Sequence, residues 1–277
     1  MQWNPDFSAL SPAFLPLRAA ALAVHGPVWP GCDDFNRVVA ARRSPVLNAA
    51  GRVLRFVRQA PRSAVFEDKY EPRIFLRGEV QLRADDWHDV FNALAWLTFP
   101  QTKAALNACH YRVLERRRNE VASNRGPAQD ALTLFDESGV IVVTSEEALG
   151  GLLTGRAWKD LFWRQREAVS SHMRFYVFGH GLHAKMLQPF TGVTGRGLVC
   201  EVPPEFITLP LARQLEELDA RLAARFADSA HPLATHELSP VPLLGVPGWC
   251  ADNACEQYYD NSAYFRPLRG AAIPGDG

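Results

Sequence analysis

ALTLFDESGVIVVT, residues 131–144, is the stretch on which the reading of the fold turns. Two short apolar runs, Ala131–Phe135 and Val140–Thr144, flank Asp136-Glu137-Ser138-Gly139, the composition of a four-residue hairpin turn with glycine at its end. The expectation is an antiparallel pair of strands with the two acidic side chains spent on the turn. Outward from it, Arg174–Phe178 and Gly197–Val202 read as further short strands. Helices are expected over Leu17–Val24, Glu146–Leu153, Trp158–His172, from His180 to Leu187, and over Leu211–Ala227. Asp86 is a good N-cap for a helix through Thr98, closed by Phe99-Pro100. Thr102 is expected to cap a second helix that runs to Arg116-Arg117-Arg118. Asn36–Gln59 reads as one or two helices broken near Pro45, and Val65–Leu82 as irregular or short-stranded. No βαβ alternation long enough for a doubly wound sheet is present. The fold class expected is α+β: one helix-rich domain over residues 1–277, with a small and at least partly antiparallel sheet. Residues 1–35 are expected as an irregular N-terminal arm and 240–277 as a loop-like tail.

Composition excludes several classes. Of 277 residues, 47% are hydrophobic and 22% charged, which is ordinary globular usage. Thirty basic residues balance thirty acidic ones, so only a local patch would carry affinity for nucleic acid or an anionic membrane. Lysine occurs only at 69, 103, 159 and 185, an arginine bias that fits a GC-rich genome. Five cysteines with no CxxC pattern point to free thiols in a reducing compartment, rather than to a disulfide framework or zinc knuckle. No run approaches the ~18 apolar residues of a membrane span, and no secretory leader is legible, so a cytoplasmic location is expected.

Several blocks, WHDVFNALAWLTFPQTKAALN (87–107), DALTLFDESGVIV (130–142), FYVFGHGLHAKMLQP (175–189), LLGVPGW (243–249) and YFRP (264–267), resemble a bacterial family known only as a domain of unknown function, number three thousand and twenty-five in its series. The resemblance covers about residues 10–268. It implies a bacterial source and one full-length domain, and it supplies no activity, cofactor or catalytic residue. It includes the Gly179-His180 step but carries no expectation of histidine at 183.

Chemistry is sought in polar residues that the elements leave unexplained. His88 and Asn92 share one helical face at i, i+4, and Lys103, Asn107 and His110 share another at i, i+4, i+7. The short break at Phe99-Pro100 allows the two stripes to converge, giving proton transfer and charge stabilisation in one place. His180, between Gly179 and Gly181 at a strand end and helix start, is the expected centre of the site. Glycines on both sides permit close approach of another group. His183, one turn on, offers a metal pair with His180 that Asp130 or Asp136 would complete, though whether a metal binds is left open. Asp130 ranks above Asp136, because turn chemistry explains the latter and Asp130 belongs to one of the family-like blocks. Asp89 is explained by helix capping. The loop at 191–197 lacks the GK[ST] ending of a phosphate-binding loop.

The function expected is therefore enzymatic: a hydrolase or group transferase using histidine and carboxylate, or a metal, on a small anionic or carbonyl-bearing substrate. The site residues are His180, Asp130, His88, Lys103, His110 and Asn92, with Lys103 stabilising negative charge. The alternative is a non-catalytic binding protein in which Arg112, Arg116, Arg117, Arg118 and Arg125 engage nucleic acid or an acidic partner.

Overall fold

A computed structural model describes residues 1–61, 63–118 and 127–268. The elements in chain order are α1 (Arg18–Ala23), α2 (Cys32–Ala40), β1 (Arg55–Arg58), α3 (Tyr70–Arg77), β2 (Glu79–Leu82), α4 (Trp87–Thr98), α5 (Pro100–Arg117), α6 (Pro127–Ser138), β3 (Gly139–Thr144), α7 (Glu147–Thr154), α8 (Arg166–His172), β4 (Met173–Val177), α9 (His180–Met186), β5 (Thr194–Glu201), α10 (Pro204–Thr208), α11 (Leu211–Ala227) and β6 (Ser239–Pro242). The architecture is α+β and helix-rich. A four-stranded sheet, ordered β4-β3-β5-β6, is mixed: β3 runs antiparallel to β4 and parallel to β5, and β5 antiparallel to β6. A separate parallel pair joins β1 and β2 across α3.

Strand β3 is buried on both faces, and its alternation divides the interior. Val140 and Val142 join Phe175 and Val177 in one apolar cluster, while Ile141 and Val143 join Tyr176, Phe178 and Leu198 in the other. The first cluster reaches the N-terminal segment, where Phe7, Phe14 and Leu17 are fully buried. Residues 1–35 are thus short helical turns pinned into the core, with less irregularity than expected. The tail contributes strand β6 and a buried Tyr259, Tyr264 and Phe265 rather than loop alone. Among the described residues no helix is long and apolar enough to cross a membrane.

The hairpin expected at 131–144 is half wrong. Val140–Thr144 lies in β3, but Ala131–Phe135 and the supposed turn belong to α6. Ala131, Leu132 and Phe135 are buried while Asp136 and Glu137 are not, a helical i, i+1, i+4 face that a five-residue run cannot distinguish from a strand. The partner of β3 is instead β4, far along the chain. Asn36–Gln59 is helical only to Ala40. Asn48 then fixes a turn, its Oδ1 accepting from the amides of Ala50 and Arg52 at 2.9 Å each, and the chain continues as β1. Val65–Leu82 holds helix α3 as well as β2. The span Trp158–His172 is interrupted by a π-turn at Asp160–Arg164. Thr102 does not cap α5, which starts at Pro100. The orphan amides of Gln101 and Thr102 donate to the Asp219 carboxylate of α11, at 3.0 and 2.8 Å.

Two junctions of the sheet create the site. The amides of Phe178 and Gly179 both donate to the carbonyl of Gly139 at 2.9 Å, tying the end of β4 to the start of β3. Helix α9 therefore starts beside the last turn of α6, and α4 packs across α9.

Candidate active site

The Gly179-His180-Gly181 step is shaped by what it must admit. A Cβ on Gly179 would lie 2.5 Å from the backbone nitrogens of both Ser138 and Gly139. A Cβ on Gly181 would collide with the Glu137 carboxylate. Glycine at both positions is what lets the end of α6 come against His180.

The result is a carboxylate shared between two imidazoles. Glu137 Oε2 lies 3.4 Å from His88 Nε2, and its Oε1 lies 3.5 Å from His180 Nε2. The two rings stand edge to face with centroids 4.5 Å apart. The other nitrogen of each ring faces a second carboxylate: His88 Nδ1 is 3.2 Å from Asp89 Oδ1, and His180 Nδ1 is 3.8 Å from Asp136 Oδ2. Behind these stand two cations. Arg83 donates to Asp89 through Nε at 3.0 Å, Nη2 at 2.6 Å and its own amide at 2.7 Å, and Lys103 Nζ donates to Asp136 at 2.6 Å. His180 is only 5% exposed, and its Nδ1 has no hydrogen-bond partner among the described residues.

The charges follow from this geometry. Hydrogen bonds to Asp89 and Glu137 raise the His88 imidazole to about 9, against the pull of burial. His180 and His88 hold the Glu137 carboxyl well below its ordinary range. Burial works to raise Asp89 and Asp136, but His88 and Arg83 outweigh it at the first, and Lys103 and His180 at the second, so both stay ionised.

Apart from Lys103, these groups line a cleft of about 650 Å³ that also takes in Tyr70, Glu71, Asn92 and His110. His88 and Asn92 of the first stripe and His110 of the second face this cleft, while Lys103 and Asn107 are buried behind it. Asn92 donates to Tyr70 Oη at 2.5 Å, and Asn107 donates to Glu71 Oε2 at 2.6 Å and to the Glu71 carbonyl at 3.0 Å. Burial holds the Glu71 carboxyl above its usual range, against the pull of His110 and Lys103. Lys103 is 4% exposed and committed to Asp136, so it positions that carboxylate instead of facing a substrate.

Two expectations do not join this group. Asp130 lies six residues before Asp136 on α6, about 120° around the helix at 3.6 residues per turn, and is not part of the cleft lining. His183 turns away from the cleft into the core. It is fully buried, stacked between Phe14 and Phe91 with centroids 5.9 and 5.4 Å away. Burial depresses its imidazole to about 3. The carbonyls of Gly179 and Ala13 pull weakly in the other direction, though neither makes an aligned hydrogen bond to the ring. His183 is a neutral core residue, so the His180–His183 metal pair is not formed.

Sequence reading discounted or passed over Glu137, Asp136, Asp89, Tyr70 and Glu71. The first two were assigned to a turn, and only their i, i+4, i+7, i+8 relation to Gln129 and Thr133, which line the same cleft, carried the signal. His88, His180 and Glu137 offer three ligand atoms that all lie within 4.8 Å of one another, and a second such group, Asp86, His88 and Asp89, shares His88 with them.

No curated protein and no solved structure shows a significant match to the chain. Residues 54–269, which hold every element of the cleft from α3 to α9, match a family described as protein of unknown function (DUF3025), and the chain belongs to that family.

Proposed function

We propose that the cleft is the active site of a hydrolase or group transferase acting on a small substrate with a carbonyl or anionic group. The observation that carries this is the pairing of two imidazoles on one carboxylate, each ring backed by a further carboxylate, at an open cleft. Buried networks of this kind are costly to assemble and concentrate where proton transfer is performed. His88, 40% exposed in its side chain, turns its Nε2 toward Glu137 at the cleft, where it suits a contact to the substrate. His180 is the acid–base centre, Glu137 stays ionised and orients both imidazoles, and Asp89 and Asp136 hold the two rings in place. Tyr70 and Asn92 supply polar contacts at the rim.

The arginine cluster has less in its favour as a binding surface. Arg112 donates to Cys109 Sγ and the Ala108 carbonyl, Arg117 to Gln129, and Arg118 pairs with Glu67 over the Phe66 ring. Arg125 lies outside the described residues. The five cysteines are unpaired, which supports a reducing, cytoplasmic setting, and the arginine bias suits a bacterial genome.

The test is turnover of p-nitrophenyl esters and phosphates by wild type, Glu137→Gln and His180→Ala. Loss of a positioned acid–base group should cut kcat/KM by about 10²–10⁴, with the circular dichroism spectrum unchanged. Rates that are the same in all three proteins would refute the assignment.

A further inference from the structure

We infer that His88 Nε2, His180 Nε2 and a Glu137 carboxylate oxygen hold one divalent transition-metal ion, with its remaining positions open to the cleft. The inference rests on the cleft being the functional site and adds the cofactor that site would use.

Distances come first. The two nitrogen–oxygen separations, 3.4 and 3.5 Å, are long for hydrogen bonds. Ligand atoms that sit ~2.0–2.2 Å from a shared tetrahedral ion lie ~3.3–3.5 Å apart. Glu137 presents Oε2 to one ring and Oε1 to the other, and one ligand atom from each of the three residues lies within 4.8 Å of the others, room for a single ion between them.

The second argument is ring orientation. Both histidines turn Nε2 inward and Nδ1 toward a carboxylate, Asp89 for one and Asp136 for the other. That is the arrangement by which outer carboxylates fix the tautomer and aim the ligating nitrogen. It also gives a reason for the buried, unpartnered Nδ1 of His180, whose proton would point at Asp136. Third, Arg83 and Lys103 stand on the outer side of Asp89 and Asp136, which leaves Glu137 as the carboxylate without a fixed cation. Fourth, a side chain at 181 would occupy the place of Glu137 Oε2, so glycine there preserves the ligand position.

The donor set narrows the ion. Two imidazoles and one carboxylate suit zinc, iron(II), cobalt(II) or nickel(II), and not the all-oxygen preference of magnesium or calcium. Three protein ligands beside an open cleft describe a reactive centre and not a closed structural one.

The full chain, stripped with EDTA, is titrated with ZnCl2 and separately with CoCl2 by calorimetry, with no substrate present. One ion per chain is expected. Affinity should fall at least 100-fold in Glu137→Gln and in His88→Gln, and about 10–100-fold in Asp89→Asn, while His183→Leu binds as wild type. His88 is partly exposed, so its variant remains informative if Glu137→Gln does not fold. The absence of saturable binding, or wild-type affinity in folded Glu137→Gln or His88→Gln, would overturn the inference. Metal-free protein that turns over substrate as fast as loaded protein overturns it too and leaves the hydrolase reading intact. Stoichiometric binding without turnover of any substrate class supports the metal and counts against the hydrolase.

Discussion

His180 and His183 sit one turn apart on the same short helix, and they live in opposite worlds. His180 faces two carboxylates and a second histidine at a cleft. His183 lies between two phenylalanine rings and is kept neutral by burial. Helical spacing placed the two as a metal-binding pair, but a three-residue step turns a side chain by about 300°, so they diverge by some 60°. A boundary between an apolar cluster and a polar cleft runs through that angle. Residue type and spacing nominate a ligand; the chemistry of the opposing helices decides whether it is one.

The largest effect expected from breaking this contrast is on function. His180→Ala should abolish turnover, a loss of about 10²–10⁴, with stability changed by about 1 kcal/mol or less. His183→Leu should leave turnover alone and stabilise the fold by about 1 kcal/mol, because it removes two buried nitrogens that lack partners. Parallel kinetics and thermal melts check both, and a reversed pattern would exchange the roles of the two residues.

Acid stability sharpens the comparison. His183 has an imidazole near 3 in the folded protein against 6.5 when unfolded. Between those values the unfolded chain binds a proton that the folded one refuses. Stability from this group is therefore full above pH 6.5 and declines as the pH falls toward 3. At about 1.36 kcal/mol per pH unit, the difference reaches roughly 3–5 kcal/mol. Urea melts of wild type and His183→Leu should differ by about 1 kcal/mol at pH 7 and separate further in favour of the variant by pH 4. Parallel curves would show that His183 is not buried as described.

A smaller effect distinguishes the two glycines. Gly179→Ala forces a methyl against backbone nitrogens that cannot yield, at a cost of roughly 3 kcal/mol or more. Gly181→Ala meets the end of the Glu137 side chain, which can swing away. Its stability should change little while kcat/KM falls about tenfold, as kinetics and melting together would reveal.

Much of this was legible beforehand for physical reasons. Long amphipathic segments declare themselves, and α11 spans Leu211–Ala227 as its pattern implied. Helical spacing also found His88, Asn92, Lys103 and His110, since it is fixed before any tertiary contact forms. The glycines around His180 announced a close approach without naming the group that makes it. What stayed hidden depended on partners distant in sequence. The apolar run 131–135 is too short to choose between strand and helix, and the choice of a turn after it concealed Glu137 and Asp136 together. Lys103 looked free because nothing local shows that Asp136 lies 2.6 Å from its ammonium.

Anomalous diffraction from a crystal soaked in ZnCl2, collected on both sides of the zinc absorption edge, tests the central claim most directly. The account predicts one strong peak bounded by His88 Nε2, His180 Nε2 and Glu137, with His183 far from any metal. A crystal with zinc only at surface carboxylates, and none between those three side chains, would contradict it.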